Sequence, residues 1–384
     1  MALRDPLPPG RFFLPGPTEV HPEVLVAQSR AMIAHRGDGF RTLMAGVQEG
    51  LRDVFRTAHP VIVSSSSATG LMEAAIRNSG TGRVLALVNG AFGERFARIA
   101  EACGRTVNRL EVDPGEAHEP EMVRAVLLAR DYDAVTMVHS ETSTGALNDV
   151  AALAATIREE RSGALVLVDS VTGVGGAELQ ADAWGLDFVL TGSHKALALP
   201  PGLAFGVASE RLLEVAAGTP GRGMYFDLTA YARDLEKLQT PTTPALTLMY
   251  ALEAQLARIR VEGMESRWAR HARMAERTWR WVEETASRTG AELRVLAAAG
   301  HRSPTVTAVV APAGVDPKSV VKGMAARGWV IGGGYGPARD TTFRIGHMGD
   351  HTEAELEACL AVLAEVVDEV LGGRTAAGGA ARRR

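Results

Sequence analysis

TGSHKALALPPG at residues 191–202 holds one lysine, Lys195, between a short polar stretch and an apolar run. The chain has 41 basic residues, of which only Lys195, Lys237, Lys318 and Lys322 are lysines. Arginine stays protonated, whereas a lysine amine can lose its proton and act as a nucleophile or base. Lys195 is therefore a candidate for covalent or proton-transfer chemistry; survival of a composition bias by chance is the plain alternative. Upstream, Asp169 closes the apolar run ALVLVD. A carboxylate there needs a partner, because burying it alone is costly. It either caps the next turn or holds a cationic group of a ligand. SSSSATG at 64–70 leads into a helical pattern beginning near Thr69. Small residues and free N–H groups at a helix start suit a phosphate; a simple cap by Ser67 or Thr69 is the alternative. No GxxxxGKS and no GxGxxG opening a first βαβ unit is present, so a nucleotide site is not favoured.

The elements that must position these residues are legible. Apolar runs at 60–63, 84–88, 134–138, 164–168, 188–190 and 203–208 alternate with amphipathic patterns at 69–78, 94–103 and 149–161. That alternation implies an α/β fold with a mainly parallel sheet, helices on both faces. Another helical face is formed by Phe40, Leu43, Met44, Val47, Leu51, Val54 and Phe55. Two long helical stretches near 244–260 and 265–289 follow the sheet. Strand-like TVTAVVAP, WVIGG and TFRIG then alternate with helical patterns, giving a smaller α/β domain. The expected division is an N-terminal arm at 1–14, a large domain at 15–255, a small C-terminal domain at 256–372 and a disordered tail at 373–384.

In an open parallel sheet, ligands bind at the carboxyl ends of the strands. Five runs end in SSSSATG, NGAFGE, HSETSTG, DSVTGVGG and TGSHK. Any one is ordinary turn chemistry; together they describe a lined pocket. A phosphate cradle, a buried carboxylate and a deprotonatable lysine complement the phosphate, ring nitrogen and aldehyde of pyridoxal 5'-phosphate.

These motifs resemble the class V aminotransferases of PLP fold type I, notably the alanine/serine–glyoxylate, aspartate and 2-aminoethylphosphonate branches. The similarity runs from PGPTEVHPEV at 15–24 to FRIGHMGDHTEAEL at 343–356, with MVHSETSTGALN, VDSVTGVGG and GSHKALALPPG between them. The resemblance implies that the Schiff-base lysine is Lys195, with His194 beside the cofactor phosphate and Asp169 on the pyridine nitrogen. It places Ser67, Ala68 and Thr69 in the phosphate loop and Phe92 on the ring face. Ser143 falls near the ring hydroxyl and Arg344 on the substrate carboxylate. Thr243 falls in the segment that reaches a neighbour's phosphate, which implies a homodimer with shared sites. The loop SSSSATG lacks the glycine common at this place in the family. The implied activity is ping-pong transamination from alanine or serine to a 2-oxo acid such as glyoxylate or pyruvate. Aspartate and 2-aminoethylphosphonate are alternative donors, and a non-catalytic PLP-binding scaffold is the alternative of another class. HRGDGF at 35–40 reads as a turn or, through His35 and Arg36, as a neighbour of the substrate mouth. Cys103 ends one helical pattern and Cys359 lies within another, so cysteine desulfuration is disfavoured.

Composition is consistent with these expectations. The chain of 384 residues is 46% hydrophobic and 22% charged, with net charge −4, which argues against a dedicated nucleic-acid binder. Two cysteines make neither a disulfide framework nor a metal cluster, as in a reducing compartment. No apolar stretch reaches a membrane span, and MALRDPLPPGR has no signal-peptide core. A cytoplasmic protein with small-molecule partners and no metal is expected.

Overall fold

The computed structural model describes residues 8–381, with side chains through residue 372. Seven strands form the main sheet: β1 (Val61–Ser64), β2 (Arg83–Val88), β3 (Thr106–Glu111), β4 (Ala134–Val138), β5 (Leu165–Asp169), β6 (Phe188–Gly192) and β7 (Ala204–Ala208). Their order is β1-β7-β6-β5-β4-β2-β3. Only β7 is antiparallel to its neighbours, so the other six direct their carboxyl ends to one edge. That edge carries the polar turns seen in the sequence. The chain passes from β2 outward to β3, then back to β4 on the other side of β2, which makes the crevice above β2 and β4 the topological switch point.

The strands β1, β4, β5, β6 and β7 are buried along their whole length, as a sheet covered on both faces requires. Helix Asp38–Phe55 packs its expected apolar face inward, with Phe40, Met44, Val47, Leu51 and Phe55 fully buried. This core continues through helix Leu246–Glu262 to Met264, beyond residue 255, because that helix packs against helices Pro22–Ala27 and Asp38–Phe55.

A second core gathers around a five-stranded sheet ordered Phe12–Phe13, Val330–Gly333, Thr342–Gly346, Val306–Val310 and Arg294–Val295. It includes Met274, Trp281 and Val282 of helix Met264–Thr289 and Leu356, Leu360 and Leu363 of the last helix. The N-terminal segment belongs here: Phe12 and Phe13 pair in parallel with Val330 and Ile331, and Phe13 is fully buried. The last helix runs Glu353–Ala381. Residues 373–381, expected as a disordered tail, thus continue it in backbone, in keeping with the high helix propensity of alanine. The final residues of that tail, 382–384, and residues 1–7 of the expected arm lie outside the described residues. Among the described residues, no helix is long and apolar enough to cross a membrane.

Candidate active site

A cavity of about 370 Å³ opens where the carboxyl edge of the main sheet meets the second core. Ser67, Ala68, Thr69, Phe92, Asp169, His194, Lys195 and Arg344 all line it. They arrive from five places: the start of helix Ala68–Asn78, the start of helix Ala91–Ala102, the end of β5, the turn after β6, and strand Thr342–Gly346.

Lys195 is 8% exposed and donates from Nζ to the Pro15 carbonyl at 2.6 Å. Its backbone is fixed by the segment that follows the arm: Thr18 Oγ1 donates to the Lys195 carbonyl at 2.8 Å and Thr18 N–H to the His194 carbonyl at 3.0 Å. Gly16, at φ 108°, passes directly over the amine, and a Cβ there would collide with Lys195 Nζ. Burial, and then the nearby Arg344 and Arg95 charges, push the amine down to about 8. Asp169 is 2% exposed, and its Oδ1 accepts the Val171 N–H at 2.9 Å. Burial raises this carboxyl to about 7. Both shifts have one physical origin, the cost of holding charge away from water.

The cradle is left open by its own cap residue. Ser67 occupies the N-cap of helix Ala68–Asn78 without a side-chain hydrogen bond to it; Gly70 N–H donates to the Ser67 carbonyl, and the N–H groups of Ala68 and Thr69 are left for an anion. His194 Nδ1 is buried without a partner, and burial lowers its imidazole to about 4.

Arg344 reaches across from the second sheet. Its Nε donates to the Gly333 carbonyl at 2.8 Å and its Nη1 to the Thr142 carbonyl at 3.0 Å. These bonds fix the guanidinium plane. Phe92 stacks on Tyr335 with ring centroids 5.7 Å apart and 23° between planes. Arg95 lies over the other part of this cluster, 4.6 Å from the Phe92 centroid, and its Nη2 donates to Tyr335 Oη at 3.0 Å.

Ser143 does not line the cavity. Its hydroxyl donates to Glu141 Oε1 at 2.6 Å and accepts the Ala91 N–H at 3.1 Å. Thr142 faces the cavity instead, because neighbouring residues of this turn project to opposite sides. Thr243 is exposed and outside the cavity of its own chain. Arg36 donates to Gln239 at the surface, and neither His35 nor Arg36 lines the cavity. Cys359 is fully buried with its thiol pushed up to about 12, and burial also raises the Cys103 thiol. Sequence reasoning missed Arg95 and Tyr335. Arg95 was hidden among 37 arginines, and Tyr335 sits in a Gly-rich turn with no periodicity to mark it.

Fold and site together define a PLP-dependent enzyme of fold type I. The model of the aminotransferase class-V family matches residues 21–346, and the chain belongs to that family. An uncharacterized aminotransferase of Methanocaldococcus jannaschii is 38% identical, the match covering 94% of this chain and 93% of that protein. Serine–glyoxylate aminotransferase of Methylorubrum extorquens is 32% identical over 92% of this chain and 90% of its own length. The aspartate aminotransferase of subgroup IV from Thermus thermophilus superposes with a TM-score of 0.85 at 34% identity, covering 94% of this chain and 99% of that one.

The class works with pyridoxal 5'-phosphate, and the residues present fit it. The uncapped helix start and the orphaned His194 Nδ1 suit a phosphate. Asp169 suits a protonated ring nitrogen, Phe92 offers an aromatic face, and Lys195 offers the amine that an aldehyde requires.

Proposed function

We propose that the protein transfers the amino group of a small amino acid, alanine or serine, to a 2-oxo acid such as glyoxylate or pyruvate. The observation that carries this reading is the convergence of Lys195, Asp169 and Arg344 on one cavity from three separate elements. Bound pyridoxal phosphate supplies an electron sink that acidifies the hydrogen on the substrate's α-carbon. In this reading Ser67, Ala68 and Thr69 hold the phosphate with the helix-start N–H groups, assisted by His194. The Asp169 carboxylate holds a proton on the ring nitrogen. Phe92 fixes the plane of the ring, and Thr142 rather than Ser143 stands beside its edge. Arg344 orients the substrate carboxylate through its fixed guanidinium. Lys195 Nζ moves the α-proton; an amine lowered to about 8 releases its own proton near neutral pH more readily than an ordinary lysine.

The domain arrangement belongs to the same proposal: a large cofactor domain and a small C-terminal domain, with the change of core along residues 256–274. The working unit is a homodimer in which Thr243 reaches the neighbour's phosphate, and the protein acts in the cytoplasm on small molecules. The serine–glyoxylate relative supports the small donor, and the aspartate aminotransferase structure supports an acidic one. A panel of single amino donors against glyoxylate, pyruvate and 2-oxoglutarate tests the reading. Ping-pong kinetics with alanine or serine and glyoxylate or pyruvate is the expected result. No amino transfer with any pair overturns it.

A further inference from the structure

We propose that Arg95 is a second anion anchor in the substrate cavity, which selects a short amino acid or 2-oxo acid bearing a second carboxylate. The inference rests on the transaminase reading and goes beyond its alanine or serine donor: within the same reaction it names the residue that favours an acidic donor such as aspartate.

Three cations line the cavity: Lys195, Arg344 and Arg95. One carboxylate, Asp169, lines it with them. Lys195 is spoken for by the cofactor aldehyde, Asp169 by the ring nitrogen, and Arg344 by the α-carboxylate. Arg95 is left over. It makes no ion pair with any carboxylate among the described residues, although most arginines near it do: Arg98 and Arg109 both hold Glu94. Its single hydrogen bond among the described residues runs to Tyr335 Oη, a neutral acceptor. A half-buried guanidinium with unspent donors, lining both this cavity and the neighbouring groove of Glu94, Arg98 and Arg339, is poised for a planar anion.

The geometry suits a short span. Arg95 and Arg344 flank the same phenol. Arg344 Cζ lies 5.5 Å from the Tyr335 ring centroid, and Arg95 Nη2 lies 3.0 Å from its hydroxyl. The proposal assigns the second carboxylate of an aspartate-sized molecule, its α-carboxylate on Arg344, to Arg95 on the far side of that phenol. Arg95 is also held in place on its other side, over the face of Phe92 at 4.6 Å. The anchor is therefore preorganised, and the rotamer cost of binding is already met. Both guanidinia also depress the Lys195 amine, so an excess of positive charge faces incoming substrate. Each added carboxylate relieves that excess.

The test compares ligands that differ by one carboxylate. Succinate and propionate binding to the cofactor-loaded enzyme is measured by calorimetry, and kcat/KM is measured for aspartate and alanine. The wild type is expected to prefer succinate. In Arg95→Gln the succinate-to-propionate affinity ratio and the aspartate-to-alanine kcat/KM ratio both fall about 10- to 100-fold, the scale of a lost hydrogen bond to a charged group. Arg95→Lys restores part of each ratio by returning the charge without the fork. Ratios are used because the effect of Arg95 on the Lys195 amine acts on all substrates alike. Wild-type binding of succinate no tighter than propionate overturns the proposal. So does an equal loss for both ligands, or a loss of pyridoxal phosphate affinity in Arg95→Gln, which would make Arg95 a cofactor ligand. Succinate selectivity that depends on Arg95 in a protein with no transaminase turnover would uphold the anchor and reject the reaction, so the two readings fail separately.

Discussion

In the proposed reaction Lys195 and Asp169 carry the chemistry, because burial makes each of them uncomfortable as a free ion. Replacing Lys195 by Ala removes the only amine in the cavity. We expect no borohydride-trapped cofactor adduct by mass spectrometry and a kcat at least about 10³-fold lower, on the scale of losing a positioned proton-transfer group. Asp169 gives a pH-dependent test in the cofactor-free protein. Its folded value, about 7, lies above the ordinary carboxylate value near 4. The folded chain therefore binds the proton more tightly, and this contribution to stability is present below about pH 4 and lost as pH rises through about 7. Asn at this position mimics the neutral form and retains an oxygen for the Val171 N–H. The Tm of Asp169→Asn should thus gain on wild type between pH 5 and pH 8, by on the order of 2 kcal/mol or a few degrees. A difference that is flat with pH would mean that Asp169 is not held neutral by burial. The residues of this pair were legible because their types are rare or costly in their settings: a lysine among arginines, a carboxylate ending an apolar strand. Thr142 against Ser143 was not legible. Both are small hydroxyl residues in one turn, and only the direction of the backbone decides which one faces the cavity.

At the scale of elements, the start of helix Ala91–Ala102 sets where Phe92 and Arg95 stand, and Glu141 holds that start. One Glu141 oxygen accepts the N–H groups of Phe92 at 2.9 Å and Gly93 at 3.1 Å, and the other accepts Ser143 N–H and Oγ. The side chain is fully buried, and burial raises its carboxyl above the usual range. Glu141→Ala strands these donors away from water and should cost about 3 kcal/mol in urea denaturation at unchanged m. Glu141→Gln keeps an acceptor and should lose about half as much. Because the helix start carries Phe92, KM should rise several-fold in the alanine variant; an unchanged KM would separate the anchor from the site. The helix itself was plain from its 3.6-residue pattern, and the buried strands from their apolar runs. The strand Thr106–Glu111 was not. It lies at the sheet edge with one neighbour, β2, and its residues are half or fully exposed, so TVNRLE carries no apolar run to read. Phe12–Phe13 and Arg294–Val295 are too short for any periodicity, and pairing with distant strands alone defines them.

At the scale of the whole molecule, the site sits between two cores, and one proposed phosphate contact lies outside the chain that forms it. Thr243 is exposed and does not line its own cavity, although the segment is tied to the phosphate loop by the Ala245 N–H on Ser65 Oγ at 3.0 Å. A two-fold dimer places such a segment of each subunit on the same surface of the other. Thr243→Asp would then bring a negative charge to the neighbour's phosphate and lower activity more than 10-fold, through weaker cofactor retention. The decisive measurement mixes the inactive Lys195→Ala with the impaired Thr243→Asp under conditions that exchange subunits. In a mixed dimer, one site combines both defects. The other combines an intact Lys195 with the unaltered Thr243 of its neighbour. Equal mixing makes half of the dimers mixed, each with one working site of two, so about a quarter of wild-type activity should return. If each subunit completed its own site, every site in the mixture would keep one defect and activity would not rise above the residual level of Thr243→Asp alone.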